Sequence, residues 1–370
     1  MKIGLLTFHC AQNYGAVLQC YATQEFLKSK GYDVEVIDYR PEYLLRSYRL
    51  FNTQRIVCGN PVTAAINLVK ELIQFPRRCY RQWAYRRFAK RHLVLSDMVT
   101  METIPAYYDT YIVGSDQIWN PKLTHGFDNA YFCRFAFSKG NKRYIAYAAS
   151  MEAKALSPEA KQYYQETLKG FDAISVREGD LAQLLQPLTP LQITQVLDPT
   201  LMADPCIWDT FATHRFTKKK YVVIYQGRSN KASEHIAKDI AKQVGGEVVI
   251  LSTWFSLSRG ESHQNLDPES FVDIIRHAAC VITTSFHGTA FSIIFNRPFY
   301  TIRMNDGADT RSQSLLESLK LLNRMIDTDS SPIFSPINYS ETNAKLEVLR
   351  RSSQDFLLNA LSKVSKELLR

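Results

Sequence analysis

The feature that most constrains the fold is an alternation of short apolar runs with stretches whose apolar residues recur at helical spacing. Runs such as Tyr221–Tyr225 and Cys280–Thr283 are too short to form ordinary helices, and each is followed by a helical pattern. This order is typical of βαβ units, in which helices cover both faces of a mainly parallel sheet. The sequence therefore predicts an α/β protein.

Strands are predicted wherever such an apolar run occurs. They lie at residues 2–7, 34–38, 111–113, 145–148, 173–176, 195–197, 221–225, 248–251, 280–283 and 299–302. Residues 42–100 interrupt the alternation, because they read as mostly helical and carry the densest basic cluster, from Arg77 to Arg91. We interpret residues 42–100 as a basic helical insertion.

The chain has 370 residues, which is longer than one hydrophobic core usually supports. A new series of strands begins after Asp204-Pro205. We therefore predict an N-terminal Rossmann-like domain over residues 1–205 and a C-terminal one over residues 206–339, with their sheets facing a cleft. A helix at residues 340–370 is expected to pack back on the first domain.

Composition narrows the class of protein. No apolar run reaches the ~18 residues that span a bilayer, and the N-terminal run is too short for a signal peptide, so we expect a cytoplasmic protein. The 7 cysteines include no CxxC pair, which predicts neither a zinc site nor a disulfide framework. The net charge of +9 indicates an anionic partner: nucleic acid, an acidic membrane surface or a phosphorylated substrate.

His287 is the strongest candidate for chemistry. The predicted strand at 280–283 runs into Thr284-Ser285-Phe286-His287-Gly288, and a helical pattern starts at Thr289. In open α/β sheets, ligands bind beyond the carboxyl ends of strands, so an imidazole there can transfer protons to a bound substrate. The neighbouring helix N-terminus would stabilise an anion. The alternative is a histidine that only caps and packs.

Other predicted strands are also followed by polar residues. Asn13, Tyr14 and Gly15 open a helix whose free N–H groups could bind an anion, although their spacing does not match the dinucleotide fingerprint. The alternative is an ordinary βα turn in which Asn13 caps the helix. Ser115 and Asp116 either cap a helix or contact an acceptor hydroxyl.

Arginines follow two further strands. Arg177 can grip a carboxylate or phosphate, or form a structural ion pair with Glu178. Arg303 and Arg311 could face the same cleft, although each alone is more typical of a solvated surface. Asp198, after the strand at 195–197, reads as a plain Asx turn.

Taken together, these segments resemble the polysaccharide pyruvyl transferase family. The resemblance rests on the order of segments Asn13-Tyr14-Gly15-Ala16, Val113-Gly114-Ser115-Asp116-Gln117-Ile118-Trp119-Asn120, Ala146-Tyr147-Ala148-Ala149-Ser150, Ser175-Val176-Arg177-Glu178, Leu197-Asp198-Pro199-Thr200 and Ser285-Phe286-His287-Gly288. It implies two Rossmann-like domains of the GT-B type. It also implies transfer of a pyruvyl group from phosphoenolpyruvate to a sugar of a surface polysaccharide, or of its lipid-linked precursor, as a ketal.

The resemblance also implies roles for individual residues, with no metal and no organic cofactor. His287 would be the proton donor and Asp116 would orient or deprotonate the acceptor. Substrate binding would involve Asn13, Tyr14, Gly15, Ser115, Arg177, Ser285, Gly288, Arg303 and Arg311. Ser285 stands where better-understood members carry an arginine two residues before the histidine, so Arg303 or Arg311 would have to replace that cation, or the donor would differ.

Two other functions fit parts of the sequence. A nucleotide-sugar glycosyltransferase would share the two-domain architecture, but no base-stacking or diphosphate-binding feature indicates one. A binding protein would use the basic and aromatic segment from Arg77 to Arg91. No nucleic-acid-binding motif is present, so nucleic acid is not expected. Contact with an anionic membrane is favoured, because glycan precursors are often carried on phosphorylated lipids.

Overall fold

The computed structural model describes residues 1–51, 60–152, 155–213, 216, 219–227, 230–251 and 262–362. The first sheet has seven parallel strands in the order β3-β2-β1-β4-β5-β6-β7. Their bounds are β1 Lys2–Leu6, β2 Asp33–Tyr39, β3 Leu95–Val99, β4 Thr110–Val113, β5 Arg143–Ala149, β6 Ala173–Val176 and β7 Ile193–Gln195.

The second sheet has six parallel strands in the order β10-β9-β8-β11-β12-β13. Their bounds are β8 Tyr221–Tyr225, β9 Glu247–Leu251, β10 Ser262–Gln264, β11 Cys280–Thr283, β12 Phe299–Ile302 and β13 Met325–Ile326. The predicted α/β class with two parallel sheets is thus confirmed. Every residue of β4, β8, β11 and β12 is buried, as expected of parallel strands covered on both faces.

Helices connect the strands of both sheets. Their bounds are α1 Tyr14–Ser29, α2 Glu42–Arg46, α3 Pro61–His92, α4 Pro121–Thr124, α5 Pro158–Thr167, α6 Gly179–Leu185, α7 Pro199–Met202, α8 Lys231–Val244, α9 Pro268–His277, α10 Phe286–Ile294, α11 Asp309–Ser318 and α12 Ser340–Ser362. The Asn13 side chain caps α1 by accepting a hydrogen bond from the Ala16 N–H, and so fixes where this helix begins.

The structure differs from the predicted elements in several places, and strands β10 and β13 were not predicted. The described part of residues 42–100 is mostly helical as expected, but it also supplies β3, an edge strand of the first sheet. Strand β7 ends at Gln195, where the predicted strand began. Helix α10 begins at Phe286 instead of Thr289, which places His287 inside its first turn. Edge strands such as β3 are half polar, so their apolar pattern is weak.

The C-terminal helix α12 bonds to the first half of the chain. The Ser353 hydroxyl accepts a hydrogen bond from the Leu197 N–H, and Arg350 Nε donates to the Leu201 carbonyl. The strands of the first sheet lie between residues 2 and 195 and those of the second between 221 and 326. The boundary at residue 205 stays a prediction. Among the described helices, none has the length and apolar character needed to cross a membrane.

Candidate functional site

A cleft with about 1120 Å³ of empty space, open to solvent, lies between the two sheets. The first half of the chain lines it with Phe8, Ala11, Asn13, Ala16, Tyr43, Leu44, Ser47, Tyr48, Asp116, Gln117, Leu123 and Glu152. The second half lines it with Gly227, Thr284, Ser285, Phe286, His287, Ala308 and Arg311. Both halves therefore contribute polar groups to one cavity.

His287 lies at the wall of this cleft, in the first turn of α10. Its side chain is 6% exposed, and its Nε2 lies 3.7 Å from Asp198 Oδ2. Nε2 has no hydrogen-bond partner among the described residues. A proton on that nitrogen would face the Asp198 carboxylate across a distance slightly too long for a hydrogen bond. The carboxylate therefore lies close to the imidazole without forming a hydrogen bond to it.

The imidazole of His287 rests directly on Gly15. A Cβ atom built on Gly15 would lie 1.9 Å from His287 Nδ1 and 2.3 Å from both Cε1 and Cγ. Only a residue without a side chain can therefore stand at position 15. This contact joins the first turn of α1 to the first turn of α10, and it fixes the imidazole between the two halves of the protein.

Asp198 is the buried carboxylate behind His287. Its Oδ1 accepts hydrogen bonds from the Thr200 N–H at 2.9 Å and hydroxyl at 2.7 Å, which is the predicted Asx turn. Its Oδ2 accepts from Arg177 at 2.8 Å and from the Ser115 hydroxyl at 3.3 Å. Burial alone would raise the pKa of Asp198, but His287, Arg177 and the Thr200 N–H hold that pKa well below its usual range.

Arg177 lies below the cleft with its side chain 2% exposed. Its guanidinium donates to Asp198 Oδ2 at 2.8 Å and to Asp116 Oδ1 at 3.3 Å, and it lies 5.1 Å from the centre of the Phe286 ring. Glu178 is farther away, at 3.9 Å from Nε. The arginine thus positions both carboxylates, and the ion pair with Glu178, one of the two alternatives for Arg177, has the longest of its three ion-pair distances.

Arg311 reaches the cleft from α11, and its side chain is 17% exposed. Its guanidinium donates to Glu152 Oε1 at 3.3 Å, and its Nε has no hydrogen-bond partner among the described residues. Burial and the nearby charge of Arg177 lower the pKa of Arg311, while Asp116, Glu178 and Glu152 oppose that shift. An added anion would therefore stabilise the charge on Arg311 further.

Two helix N-termini meet at this cleft. Helix α1 begins at Tyr14 and helix α10 at Phe286, and neither carries an acidic residue in its first turn. The partial positive charge at each N-terminus is thus not neutralised by its own side chains. Together with Arg311, they make this part of the cleft suited to an anion.

Comparison with known protein families identifies the chain. The family model described as polysaccharide pyruvyl transferase matches residues 13–306, which include most strands of both sheets and His287, Asp198, Arg177 and Asp116, but not Arg311. The chain belongs to the polysaccharide pyruvyl transferase family. Comparison with functionally curated proteins finds no match.

Solved structures with a similar fold include sugar-nucleotide enzymes. A UDP-GlcNAc 2-epimerase from Neisseria meningitidis is 10% identical with a TM-score of 0.48, over 98% of this chain and 100% of that one. The Methanocaldococcus jannaschii UDP-GlcNAc 2-epimerase is 12% identical with a TM-score of 0.46, over 98% and 99%. These values are too low to say what this pyruvyl transferase family member binds.

The structure brings only some of the predicted site residues of this family member to the cleft. Those lining it are Asn13, Asp116, Ser285, His287 and Arg311. Arg303 lies outside the cleft lining, paired with Asp327 at 3.0 Å, so of the two arginines proposed to replace the cation at Ser285 only Arg311 is placed to do so.

The remaining predicted residues do not line the cleft, but they pack or hydrogen-bond behind the residues that do. Tyr14 donates its hydroxyl to the Leu266 carbonyl at 2.8 Å and stacks on Phe271, which ties the two halves together. Ser115 is fully buried beside Asp198. Gly288 is required by packing, because a Cβ there would lie 2.2 Å from Thr283 Oγ1. Gly15 and Arg177 act through His287 and Asp198, as described above.

Sequence reasoning missed two carboxylates of the site. The sequence predicts only an Asx turn at Asp198 and no role for Glu152, which accepts hydrogen bonds from Gln117 at 2.7 Å and from Arg311. An aspartate that follows a strand in an α/β sheet was the available signal for Asp198. In the described part of the chain, no group of three or more His, Cys, Asp or Glu residues is arranged to hold a metal ion.

Replacing Asp198 by asparagine is expected to destabilise the protein by about 3–5 kcal/mol at pH 7, because it leaves the buried Arg177 charge without its closest partner. The folded-state pKa of Asp198 lies below its unfolded value of about 3.9, so its carboxylate contributes stability above that pH and loses it as the pH falls through the depressed pKa. In urea unfolding experiments, the free energy of unfolding should fall less between pH 7 and pH 3 in Asp198→Asn than in wild type. Parallel curves would contradict this assignment.

Proposed function

We propose that this protein transfers the pyruvyl group of phosphoenolpyruvate to two hydroxyls of a sugar, forming a ketal on a surface polysaccharide or its lipid-linked precursor. The observation that carries the proposal is the imidazole of His287, which lies where two helix N-termini and Arg311 border one cleft. Phosphoenolpyruvate combines a carboxylate and a phosphate with an enol carbon that must be protonated. The cleft supplies cationic groups for the anions and a proton donor for the carbon.

In the proposed reaction, His287 donates a proton to the methylene carbon of the donor, which becomes a methyl group. One sugar hydroxyl attacks the adjacent carbon and loses its proton. The bond from that carbon to the phosphate oxygen then breaks, and the second hydroxyl replaces it. Of the two hydroxyl protons, one restores His287 and the other leaves on hydrogen phosphate, so the reaction needs no oxidant or cofactor.

Asp198 and Asp116 are proposed to divide the remaining work. Asp198 stabilises a positive charge on His287 from 3.7 Å and orients the ring as a positioning residue. Asp116 faces the cleft with a left-handed backbone, at φ 78°, a conformation that a non-glycine residue adopts at a cost. Its Oδ1 is taken by Arg177 and the Gln117 N–H, so Oδ2 is the oxygen that would accept a hydroxyl proton.

The direct test is incubation of the protein with phosphoenolpyruvate and a panel of glycans. Release of phosphate that depends on a glycan, together with a new ketal methyl signal in the proton NMR spectrum of that glycan, would support the proposal. Glycan-dependent release of UDP or GDP from a nucleotide-sugar, with no consumption of phosphoenolpyruvate, would establish the glycosyltransferase alternative instead. Because phosphoenolpyruvate is a cytosolic metabolite, the proposed reaction belongs to the cytoplasm.

Replacing Arg311 by glutamine is expected to raise KM for phosphoenolpyruvate at least about 10-fold with a smaller change in kcat, because a charged hydrogen bond to the donor contributes roughly 1.5–3 kcal/mol. The matched control is Arg303→Gln, which removes an arginine that pairs with Asp327 outside the cleft lining. Steady-state kinetics with the active glycan would measure both. Equal KM values for the two variants would remove Arg311 from the donor site.

A further inference from the structure

The first half of helix α3 presents an exposed apolar face. Val62, Ile66, Val69 and Ile73 follow one another at intervals of four, three and four residues, so they lie along one side of the helix. Their exposed fractions are 67%, 50%, 54% and 50%. Large aliphatic side chains that are repeated on one face and left in solvent mark a surface that contacts something apolar.

This face is broad, and aromatic residues continue it. Leu68 and Leu72 are also exposed, and at 100° per residue they widen the apolar arc to roughly 160°. Further along the helix, Tyr80 and Trp83 are exposed as well, with their rings 5.7 Å apart. Exposed tyrosine and tryptophan beside an aliphatic face are typical of helices at a lipid interface, where their rings are partly apolar and partly polar.

The second half of the same helix is anchored to the protein. Ala84, Tyr85 and Phe88 are buried, and Arg87 pairs with Asp267 at 3.0 Å. Arg81 donates to the Gln12 carbonyl, next to a residue that lines the cleft. The basic and aromatic segment singled out from the sequence is thus partly structural, and the exposed apolar surface lies ahead of it on the helix.

The charge of helix α3 indicates which kind of partner its exposed face would contact. Its basic side chains are Lys70, Arg77, Arg78, Arg81, Arg86, Arg87, Lys90 and Arg91. Its single acidic residue, Glu71, is buried and bonded to Arg78. A second copy of this helix would offer no exposed acidic side chain to pair with those residues. An anionic lipid surface would accept both the apolar face and the basic charge.

We propose that the exposed face of α3, formed by Val62, Ile66, Val69 and Ile73, docks the protein on the surface of an anionic lipid bilayer. The helix would lie in the plane of the headgroups, with its aliphatic side chains in the apolar layer and its exposed arginines and lysines near the lipid phosphates. Because α3 is anchored beside the cleft, docking would hold the cleft close to that surface. This inference does not depend on the reaction assigned to the cleft.

The test is cosedimentation of the full chain with vesicles of phosphatidylcholine containing 30% phosphatidylglycerol, compared with vesicles of phosphatidylcholine alone. Wild type is expected to bind the anionic vesicles, to bind the neutral ones at least 10-fold more weakly, and to release as salt is raised. The variant Val62→Glu/Val69→Glu should lose at least 10-fold in binding to the anionic vesicles. The matched control is Ile333→Glu/Val348→Glu, which places the same two charges at aliphatic side chains outside α3 that are 82% and 68% exposed, and it should bind as wild type.

Two further measurements make each outcome decisive. Far-ultraviolet circular dichroism and thermal melting of the three proteins should coincide, since the substituted side chains are exposed and contribute little to the core. Equal vesicle binding by wild type and Val62→Glu/Val69→Glu would overturn the proposal. So would a wild-type dimer, detected by light scattering, that the paired substitution converts to monomer while vesicle binding is absent, because the face would then be an interface between copies of this chain.

Discussion

Replacing His287 by alanine is expected to lower glycan-dependent phosphate release from phosphoenolpyruvate by roughly 10²–10⁴-fold, the usual contribution of a positioned proton donor. Among the residues that line the cleft, His287 is the imidazole between Asp198 and the two helix N-termini. Without it, protonation of the enol carbon would depend on water in the cleft, which is a far weaker acid than an imidazolium. The loss should therefore appear in kcat more than in KM for phosphoenolpyruvate.

The matched control is His235→Ala, which removes a histidine that is 78% exposed on α8 and lies near Asp239, outside the cleft lining. Its rate should equal that of wild type. His287→Gln, which keeps a polar side chain of similar size, separates proton transfer from packing and should be as inactive as His287→Ala. Substantial activity in His287→Gln, at wild-type stability, would show that this imidazole is not the proton donor.

The parallel core could be predicted from the sequence, because strands buried on both faces are continuous apolar runs. Tyr221–Tyr225 and Cys280–Thr283 are of this kind, and the structure places both in the second sheet. The edge strand Leu95–Val99 lacks that signal, since its residues are half-buried or exposed. Edge strands are held by pairing with a neighbour distant in sequence, which a local pattern does not reveal.

The same limit applies to the candidate site. The sequence placed His287 at a strand end correctly, and local spacing identified the Asx turn at Asp198. What it did not reveal is the second oxygen of Asp198, which contacts Ser115, Arg177 and His287 from three other segments of the chain. Contacts between residues so far apart depend on how the two sheets face each other, and the alternation of strands and helices does not determine that arrangement.

Replacing Gly15 by alanine is expected to destabilise the protein by about 1–3 kcal/mol and to lower activity about as far as His287→Ala does. The added Cβ would lie 1.9 Å from His287 Nδ1, so the imidazole must leave its position beside Asp198. A loss of stability would be informative, because alanine in place of glycine within a helix ordinarily stabilises the helix by roughly 0.5–1 kcal/mol. Gly170→Ala is the matched control, since a Cβ there meets nothing within 4 Å.

The double variant Gly15→Ala/His287→Ala tests whether the two effects share one cause. Removing the imidazole vacates the space that the new methyl group needs, so the double variant should be more stable than the sum of the two single losses allows. Its residual activity should equal that of His287→Ala alone, because position 15 acts only through the ring it supports. Urea unfolding and phosphate release of the four proteins measure both quantities. Additive losses in both would mean that Gly15 and His287 act independently, and that the contact between α1 and α10 does not set the geometry of the proton donor.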